Sequence, residues 1–211
     1  MYKKQKNFPE VLSRYIPNEF VKYVTELLLV YPVKFRISKP RKTKLGDYKS
    51  PLREGGAHHI SVNADLNPYA FLITTLHEFA HLHTFVKFGH QVAPHGKEWK
   101  NEFKSLLMPL LKSEGIPYEI KLALSESVLN PKASTGTDYY LSKVLMKYNA
   151  PTNEDELILE SLSFGELFVL KNRVFKLGKL QRKNFICKEV KTGDEYLVNR
   201  LAKVERYNTE D

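Results

Sequence analysis

The spacing of apolar residues predicts two long helices in the first two thirds of the chain. The first covers residues 68–88, where Asn67 can cap the N-terminus, Pro68 suits the first turn and Gly89 can end the helix. The second covers residues 97–111, where large apolar residues recur three and four positions apart. Both helices are therefore expected to pack into one core.

Shorter elements are predicted around these two helices. Residues 33–38 alternate apolar and polar side chains, which is typical of a half-buried strand, and residues 57–63 form a candidate second strand. The segment between them, residues 39–51, is basic and rich in turn-forming residues. Weaker helical patterns cover three further segments: a helix that Asn18 can cap and that Pro32 ends, residues 118–128, and residues 138–148.

The pattern changes after residue 149. Residues 150–156 have the composition of a linker, and short apolar runs separated by Gly, Asn and Thr follow them. Such runs predict a small antiparallel β unit. The sequence thus predicts an α+β protein with two domains: residues 1–149, with a helical core and a small sheet, and residues 150–211, with the linker and the β unit.

Composition limits the class of protein. The chain has 211 residues, 42% of them apolar, which suits a globular protein with a core of its own. Its one cysteine, Cys187, can form no internal disulfide and no cysteine-based zinc site, and its place in a predicted strand favours a core position. No apolar signal segment follows the basic N-terminus, and the longest apolar run, residues 27–30, is far too short to cross a bilayer. We therefore expect a soluble, cytoplasmic protein without a membrane partner.

The net charge of +9 is unevenly distributed along the chain. Residues 1–55 carry 13 Lys and Arg against 5 Asp and Glu, and residues 166–206 carry 11 against 5, whereas the middle is slightly acidic. Two interpretations of the basic ends stay open: a surface that faces a polyanion, with nucleic acid the expected partner, or solvated lysines on an ordinary surface. The candidate contacts to phosphate are Lys39, Arg41, Lys42, Lys44, Arg173, Lys176, Lys179, Arg182 and Lys183.

The first long helix contains the sequence His77-Glu78-Phe79-Ala80-His81. Two histidines four residues apart share one face of a helix and can bind one Zn²⁺ together. Glu78 lies beside the metal without binding it, where it can take a proton from the water that zinc activates and pass it to a leaving amine. Two surface histidines with a glutamate in an ion pair are the alternative, but the uncharged flanking residues favour a buried catalytic helix.

A catalytic zinc site needs a third protein ligand and keeps its fourth position for water. His95 follows a short loop and opens the next helix, so it can fold back over the site, with His90 in reserve. His83 points about 140° away from the face that the first two histidines share, which favours packing in the core. Structural or surface roles are expected for His58 and His59, which lie on a predicted strand.

Together with the segment His95-Gly96-Lys97-Glu98-Trp99, the first long helix resembles the SprT-like family, which includes the Spartan proteases. Upstream, Leu45-Gly46-Asp47-Tyr48 is similar to the strand region of that family, and the resemblance covers roughly residues 17–113. It implies a zincin-like peptidase domain that binds one zinc ion. It also implies that this domain cleaves proteins associated with DNA. The implied roles are zinc ligand for His77, His81 and His95 and catalytic acid and base for Glu78.

The resemblance does not extend to the C-terminal unit. Many SprT-like proteins end in a zinc ribbon with two pairs of cysteines, whereas this stretch holds only Cys187. We therefore expect the β unit to fold on an apolar core without zinc, which removes one usual support for DNA binding.

The leading interpretation is a zinc metallopeptidase that hydrolyses protein substrates. The alternative is a non-catalytic regulator that binds nucleic acid and uses zinc only to stabilise its fold; such a protein would tolerate the loss of Glu78. A zinc hydrolase of a non-peptide bond is a third option, because the same chemistry attacks esters and amides. Tyr48 could donate a hydrogen bond to an oxyanion, although packing is the favoured role.

Overall fold

A computed structural model shows two compact units, residues 1–149 and residues 150–211. It describes residues 7–41, 43–53, 55–129, 138–149 and 156–207. The described residues form six α-helices and two sheets, so the predicted α+β class is confirmed. Among the helices of these segments, none has both the length and the apolar character needed to cross a membrane.

The described part of the N-terminal unit contains all six α-helices. They are α1 (Phe8–Leu12), α2 (Val21–Val30), α3 (Pro68–Phe88), α4 (Lys97–Lys112), α5 (Tyr118–Leu129) and α6 (Tyr139–Met146). The strong predictions are confirmed, since α3 has the predicted bounds and α4 extends one residue further, with Pro109 inside it. The predicted capping role of Asn18 is wrong: Asn18–Phe20 forms a short 3-10 helix, and α2 begins after it.

The central element is α3, and its ends follow from local chemistry. The Asn67 side chain accepts a hydrogen bond from the Ala70 N–H, and Pro68 occupies the first turn. At the other end Gly89 adopts φ 60°, a conformation that glycine tolerates, and its N–H bonds Phe85. Every residue from 70 to 80 is buried, because α4 packs on one side of α3 and the small sheet on another.

The small sheet has three strands, β1 (Val33–Ser38), β2 (Gly46–Lys49) and β3 (His58–Asn63), in the order β1-β3-β2. β1 runs parallel to β3, and β2 runs antiparallel to it with Tyr48 opposite Ile60. The apolar pattern did not predict β2, which lies in the turn-rich segment; only the family resemblance of Leu45-Gly46-Asp47-Tyr48 indicated a strand there. Polar residues are tolerated at the edge of a sheet, where β2 lies. β2 forms a strand because it pairs with β3, although it has no alternating apolar pattern of its own.

The core of the N-terminal unit forms around α3. Its largest fully buried side chains include Phe71, Phe79 and Trp99. Phe103 is 4% exposed and belongs to the same cluster, so the apolar residues that recur along the second predicted helix do face the core. The two helices with strong apolar patterns therefore carry most of the aromatic packing.

The C-terminal unit is an antiparallel sheet with a small apolar core. Its strands are β4 (Glu156–Ile158), β5 (Leu167–Leu170), β6 (Arg173–Gln181), β7 (Asn184–Glu189), β8 (Glu195–Asn199) and β9 (Lys203–Arg206), in the order β4-β9-β5-β6-β7-β8. Cys187 is fully buried in this core, as predicted. The predicted linker mostly falls on residues 150–155, outside the described residues, and its last residue begins β4.

Candidate active site

The helix α3 brings two histidines together on one face. His77 and His81 are one turn apart, and their Nε2 atoms lie 3.3 Å from each other. His77 is 6% exposed and His81 is half-buried, so this face lies at the boundary between the core and solvent. An i, i+4 pair on a rigid, fully packed helix holds two imidazoles in place without help from a loop.

The loop between α3 and α4 supplies a third histidine. The Nε2 atom of His95 lies 3.3 Å from that of His77, and the ligand atoms of all three histidines lie within 4.8 Å of one another. His95 has φ 59°, which a side-chain-bearing residue adopts at a cost of about 1–3 kcal/mol. This local conformation turns the loop so that its imidazole faces α3.

The three nitrogens fit a zinc ion. Ligands bound at about 2.0–2.1 Å in a tetrahedral arrangement lie about 3.3–3.4 Å apart, and the two close pairs in this cluster lie 3.3 Å apart. Burial, together with the nearby His81 and His95, lowers the pKa of His77 to about 3. Burial, together with His95, lowers the pKa of His81 to about 4, and burial also lowers the pKa of His95. Neutral imidazoles, which zinc requires, are therefore the stable form at pH 7.

An aromatic wall holds the three imidazoles. The Trp99 ring lies 4.7 Å from His77, 5.4 Å from His81 and 4.6 Å from His95, measured between ring centres. The Phe103 ring packs behind it, 5.5 Å from His77. Among the described residues, the buried Nδ1 of His77 has no hydrogen-bond partner. Ring packing, rather than a carboxylate or carbonyl acceptor, therefore fixes the orientation of this imidazole.

Glu78 is a buried carboxylate beside the histidine cluster. It is 5% exposed, and the backbone N–H of Tyr48 on β2 donates a hydrogen bond to it. Burial, with a smaller contribution from Asp47, raises the pKa of Glu78 to about 8, even though Arg41, Lys44 and the Tyr48 N–H act in the opposite direction. The carboxylate is thus held by the edge strand rather than by an ion pair.

The part of the chain that contains the histidine cluster matches the model of one protein family. The model of the SprT-like family matches residues 18–114, a range that contains β1, β2, β3, α3 and α4. This segment, slightly less than half of the chain, is therefore similar to the SprT-like family. The resemblance predicted from the sequence is therefore confirmed, and the C-terminal unit lies outside the match. No curated protein and no solved structure matches the chain.

Gly46 brings the edge strand of the SprT-like segment close to Glu78. A Cβ atom at this position would lie 2.3 Å from Glu78 Oε1 and 2.8 Å from both Glu78 Cγ and Thr74 Cγ2. Real Cβ atoms do not approach other atoms so closely, so only glycine fits here. Glycine within a strand often marks such a close approach, and that signal was present in the sequence.

Tyr48 joins the cluster to the sheet. Its ring stacks on His81 with 6.3 Å between centres and 6° between planes, and its hydroxyl lies 2.9 Å from Nδ1 of His58. Burial raises the pKa of Tyr48 and lowers that of His58, which keeps both side chains neutral. These contacts agree with the predicted packing role of Tyr48. Its hydroxyl group is hydrogen-bonded to His58.

The remaining histidines lie apart from the cluster. His83 is half-buried on α3, with Nδ1 3.6 Å from Glu102 and with its ring against Tyr31. His90, the reserve candidate for the third ligand, is exposed in the loop, and its ring packs on Phe85. Of the strand histidines, His58 is buried and bound to Tyr48, whereas His59 is exposed.

Some of the predicted phosphate-binding residues already have partners within the protein. Arg41 donates to Asn63 and Ser61, and Lys44 forms an ion pair with Asp47 at 2.6 Å. In the C-terminal unit, Arg173 pairs with Glu189 and lies over the Tyr196 ring. The other four candidates in the hairpin that β6 and β7 form are exposed: Lys176, Lys179, Arg182 and Lys183. Lys42 lies outside the described residues.

Proposed function

We propose that the SprT-like segment is a zinc-dependent peptidase with a zincin-like fold. The observation that carries the proposal is the meeting of three histidine nitrogens, with two pairs 3.3 Å apart, beside the buried carboxylate of Glu78. Three imidazoles are a donor set of catalytic zinc sites, which leave a further position for water or substrate. The long HExxH helix under an edge strand that runs antiparallel to its neighbour supports the proposed fold.

The side chains divide the chemistry among them. When bound, zinc supplies a Lewis acid that polarises the scissile carbonyl and lowers the pKa of the attacking water towards about 7. His77, His81 and His95 would hold the metal. In its ionised form, Glu78 would accept a proton from the attacking water and return it to the leaving amine, and the Tyr48 N–H keeps the side chain in place for both transfers.

Protein substrates associated with DNA, in the cytoplasm, form part of this proposal. Its support is the net charge of +9 and the exposed basic hairpin of the C-terminal unit. A peptidase held on DNA by such a surface would meet bound proteins at high local concentration.

Removal of the metal is expected to abolish hydrolysis. Dialysis against a chelator should reduce the cleavage of an unfolded protein substrate to background, and one equivalent of Zn²⁺ should restore it. Mg²⁺ should not restore it, because Mg²⁺ prefers oxygen ligands and the cluster offers three nitrogens. The measurement is the initial cleavage rate together with zinc content by elemental analysis.

The same measurement distinguishes the alternatives. A zinc-loaded protein that cleaves neither proteins nor peptides, with or without single-stranded DNA, would contradict the peptidase proposal and favour a regulator stabilised by zinc. Hydrolysis of esters without hydrolysis of peptides would favour a different zinc hydrolase.

Substitution of Gly46 by alanine is expected to impair catalysis while zinc binding persists. The new methyl group must displace the Glu78 carboxylate, which is buried and has little room to move. A displacement of about 1 Å in a catalytic group costs on the order of 100-fold in rate, so kcat should fall by about that factor. The check is steady-state kinetics with zinc content measured on the same sample.

Gly115→Ala is the matched control for this substitution. The three atoms nearest to its Cβ would all belong to the carboxyl end of Glu19, an exposed side chain that can swing into solvent. The control should keep kcat within about twofold of wild type. Equal losses in the two variants would show that Gly46 has no special relation to Glu78.

A further inference from the structure

A cleft opens beside the histidine cluster. Its volume is about 540 Å³, and His81 and His95 form part of its wall. Pockets for small ligands span about 300–1,000 Å³, so this cleft can take a large side chain with room for neighbouring backbone. A peptide whose scissile carbonyl reaches the histidines must place one of its flanking side chains in or beside this cleft.

The walls of the cleft are largely apolar. Phe85 lies one helical turn after His81, and Val92 and Pro94 face the cleft from the loop that carries His95. Leu52 is fully exposed at its mouth. An apolar side chain entering the cleft would remove these surfaces from water, which favours its binding. The ring of Phe85 is itself buttressed by His90, at 5.0 Å between centres.

The charge of the cleft excludes one class of side chain. Among the described residues that line it none is acidic, and Lys49 contributes a positive charge. The nearby acid Asp47 is already paired with Lys44 at 2.6 Å. A lysine or arginine side chain placed in the cleft would lose water without gaining an anionic partner, and it would be repelled by Lys49.

We infer that this cleft selects a large apolar side chain at one of the two positions flanking the scissile bond and rejects lysine and arginine there. The inference rests on the proposed peptidase function and adds a substrate class to it. The preference should affect the one flanking position whose side chain enters this cleft.

Cleavage-site profiling tests this inference. The zinc-loaded full-length protein is incubated with a peptide mixture that contains all residues in all contexts, and mass spectrometry identifies the cleaved bonds. One flanking position should be enriched in Phe, Leu and Met by about tenfold or more over Ala, since hydrophobic pockets discriminate single methylene groups by about 10–200-fold. Lysine and arginine should be depleted at the same position.

An acidic residue in the cleft should change the preference. Val92→Asp is expected to raise cleavage at bonds flanked by Lys or Arg by about tenfold, because it supplies the missing anionic partner. Ala93→Asp is a second variant, at an exposed lining position where a larger side chain has room. Val86→Asp is the matched control, since Val86 is exposed on α3 but does not line the cleft. Zinc content shows whether the loop of each variant still binds metal.

The outcomes separate this inference from the proposed function. A zinc-loaded wild type that cleaves no peptide contradicts the peptidase proposal and the inference with it. Cleavage with no apolar preference at either flanking position contradicts the inference alone. The inference is also overturned if both cleft variants retain zinc and activity with the wild-type profile, or if Val86→Asp changes the profile as much as they do.

Discussion

Replacement of Glu78 by glutamine is expected to lower peptide hydrolysis by about 10²–10⁴-fold, the usual contribution of a general acid–base group. Glutamine has the same shape, so the contact with Gly46 and the hydrogen bond from the Tyr48 N–H can persist. What it lacks is the ability to accept and return a proton. The zinc content should stay at the wild-type level, because the ligands are three histidines.

Casein and a DNA-binding protein are suitable substrates for this test, each with and without single-stranded DNA. Glu102→Gln provides the matched control: it makes the same chemical change on α4, where Glu102 pairs with Lys87 and His83. This control should stay within about twofold of wild type. If Glu78→Gln cleaves protein as fast as wild type, the proposed role of Glu78 is wrong. Stimulation of the wild type by DNA would support the proposed DNA-associated substrates.

Replacement of His95 by alanine is expected to weaken zinc binding by more than about 100-fold. Outer-shell partners of a metal ligand alone contribute about 10–100-fold to affinity, and this substitution removes a nitrogen that lies 3.3 Å from that of His77. The measurement is zinc affinity by competition with a coloured chelator. A second measurement is the rise in melting temperature on adding zinc, which should largely disappear in the variant.

His90→Ala is the control for the third ligand. Both histidines lie in the loop between α3 and α4, and the sequence alone could not exclude His90. The exposed His90 ring packs on Phe85, so its removal should leave the zinc affinity unchanged. If His90→Ala loses zinc and His95→Ala keeps it, the arrangement of the loop described above is wrong.

The parts of the fold that local chemistry determines were predictable from the sequence. α3 was predicted with its observed bounds, because Asn67, Pro68 and Gly89 act on adjacent residues. The angle between His83 and the other two helix histidines also follows from helical geometry alone, and His83 does lie apart from the cluster.

The parts that depend on distant residues were not predictable from the local apolar pattern, although the family resemblance did indicate a strand region at Leu45-Gly46-Asp47-Tyr48. β2 has little apolar pattern of its own and becomes a strand by pairing with β3. In the C-terminal unit, β4 pairs with β9, although most of the residues of that unit lie between the two strands in the sequence. Neither strand therefore has a local sequence pattern that predicts it. The left-handed backbone conformation of His95 is set by the path of the whole loop, and the presence of a histidine does not predict it. Gly46 can be read from the sequence, but its close approach to Glu78 is known only once the sheet is seen packed against α3.

The aromatic wall behind the ligands gives this protein an internal optical probe. The chain has one tryptophan, and Trp99 lies about 5 Å from all three histidine rings. All indole fluorescence therefore originates beside the histidine cluster, with no second indole to obscure it. A change in the charge or orientation of the imidazoles acts directly on that emission. Uptake and release of the proposed zinc ion should thus be observable in real time in the unlabelled protein, with no substrate present.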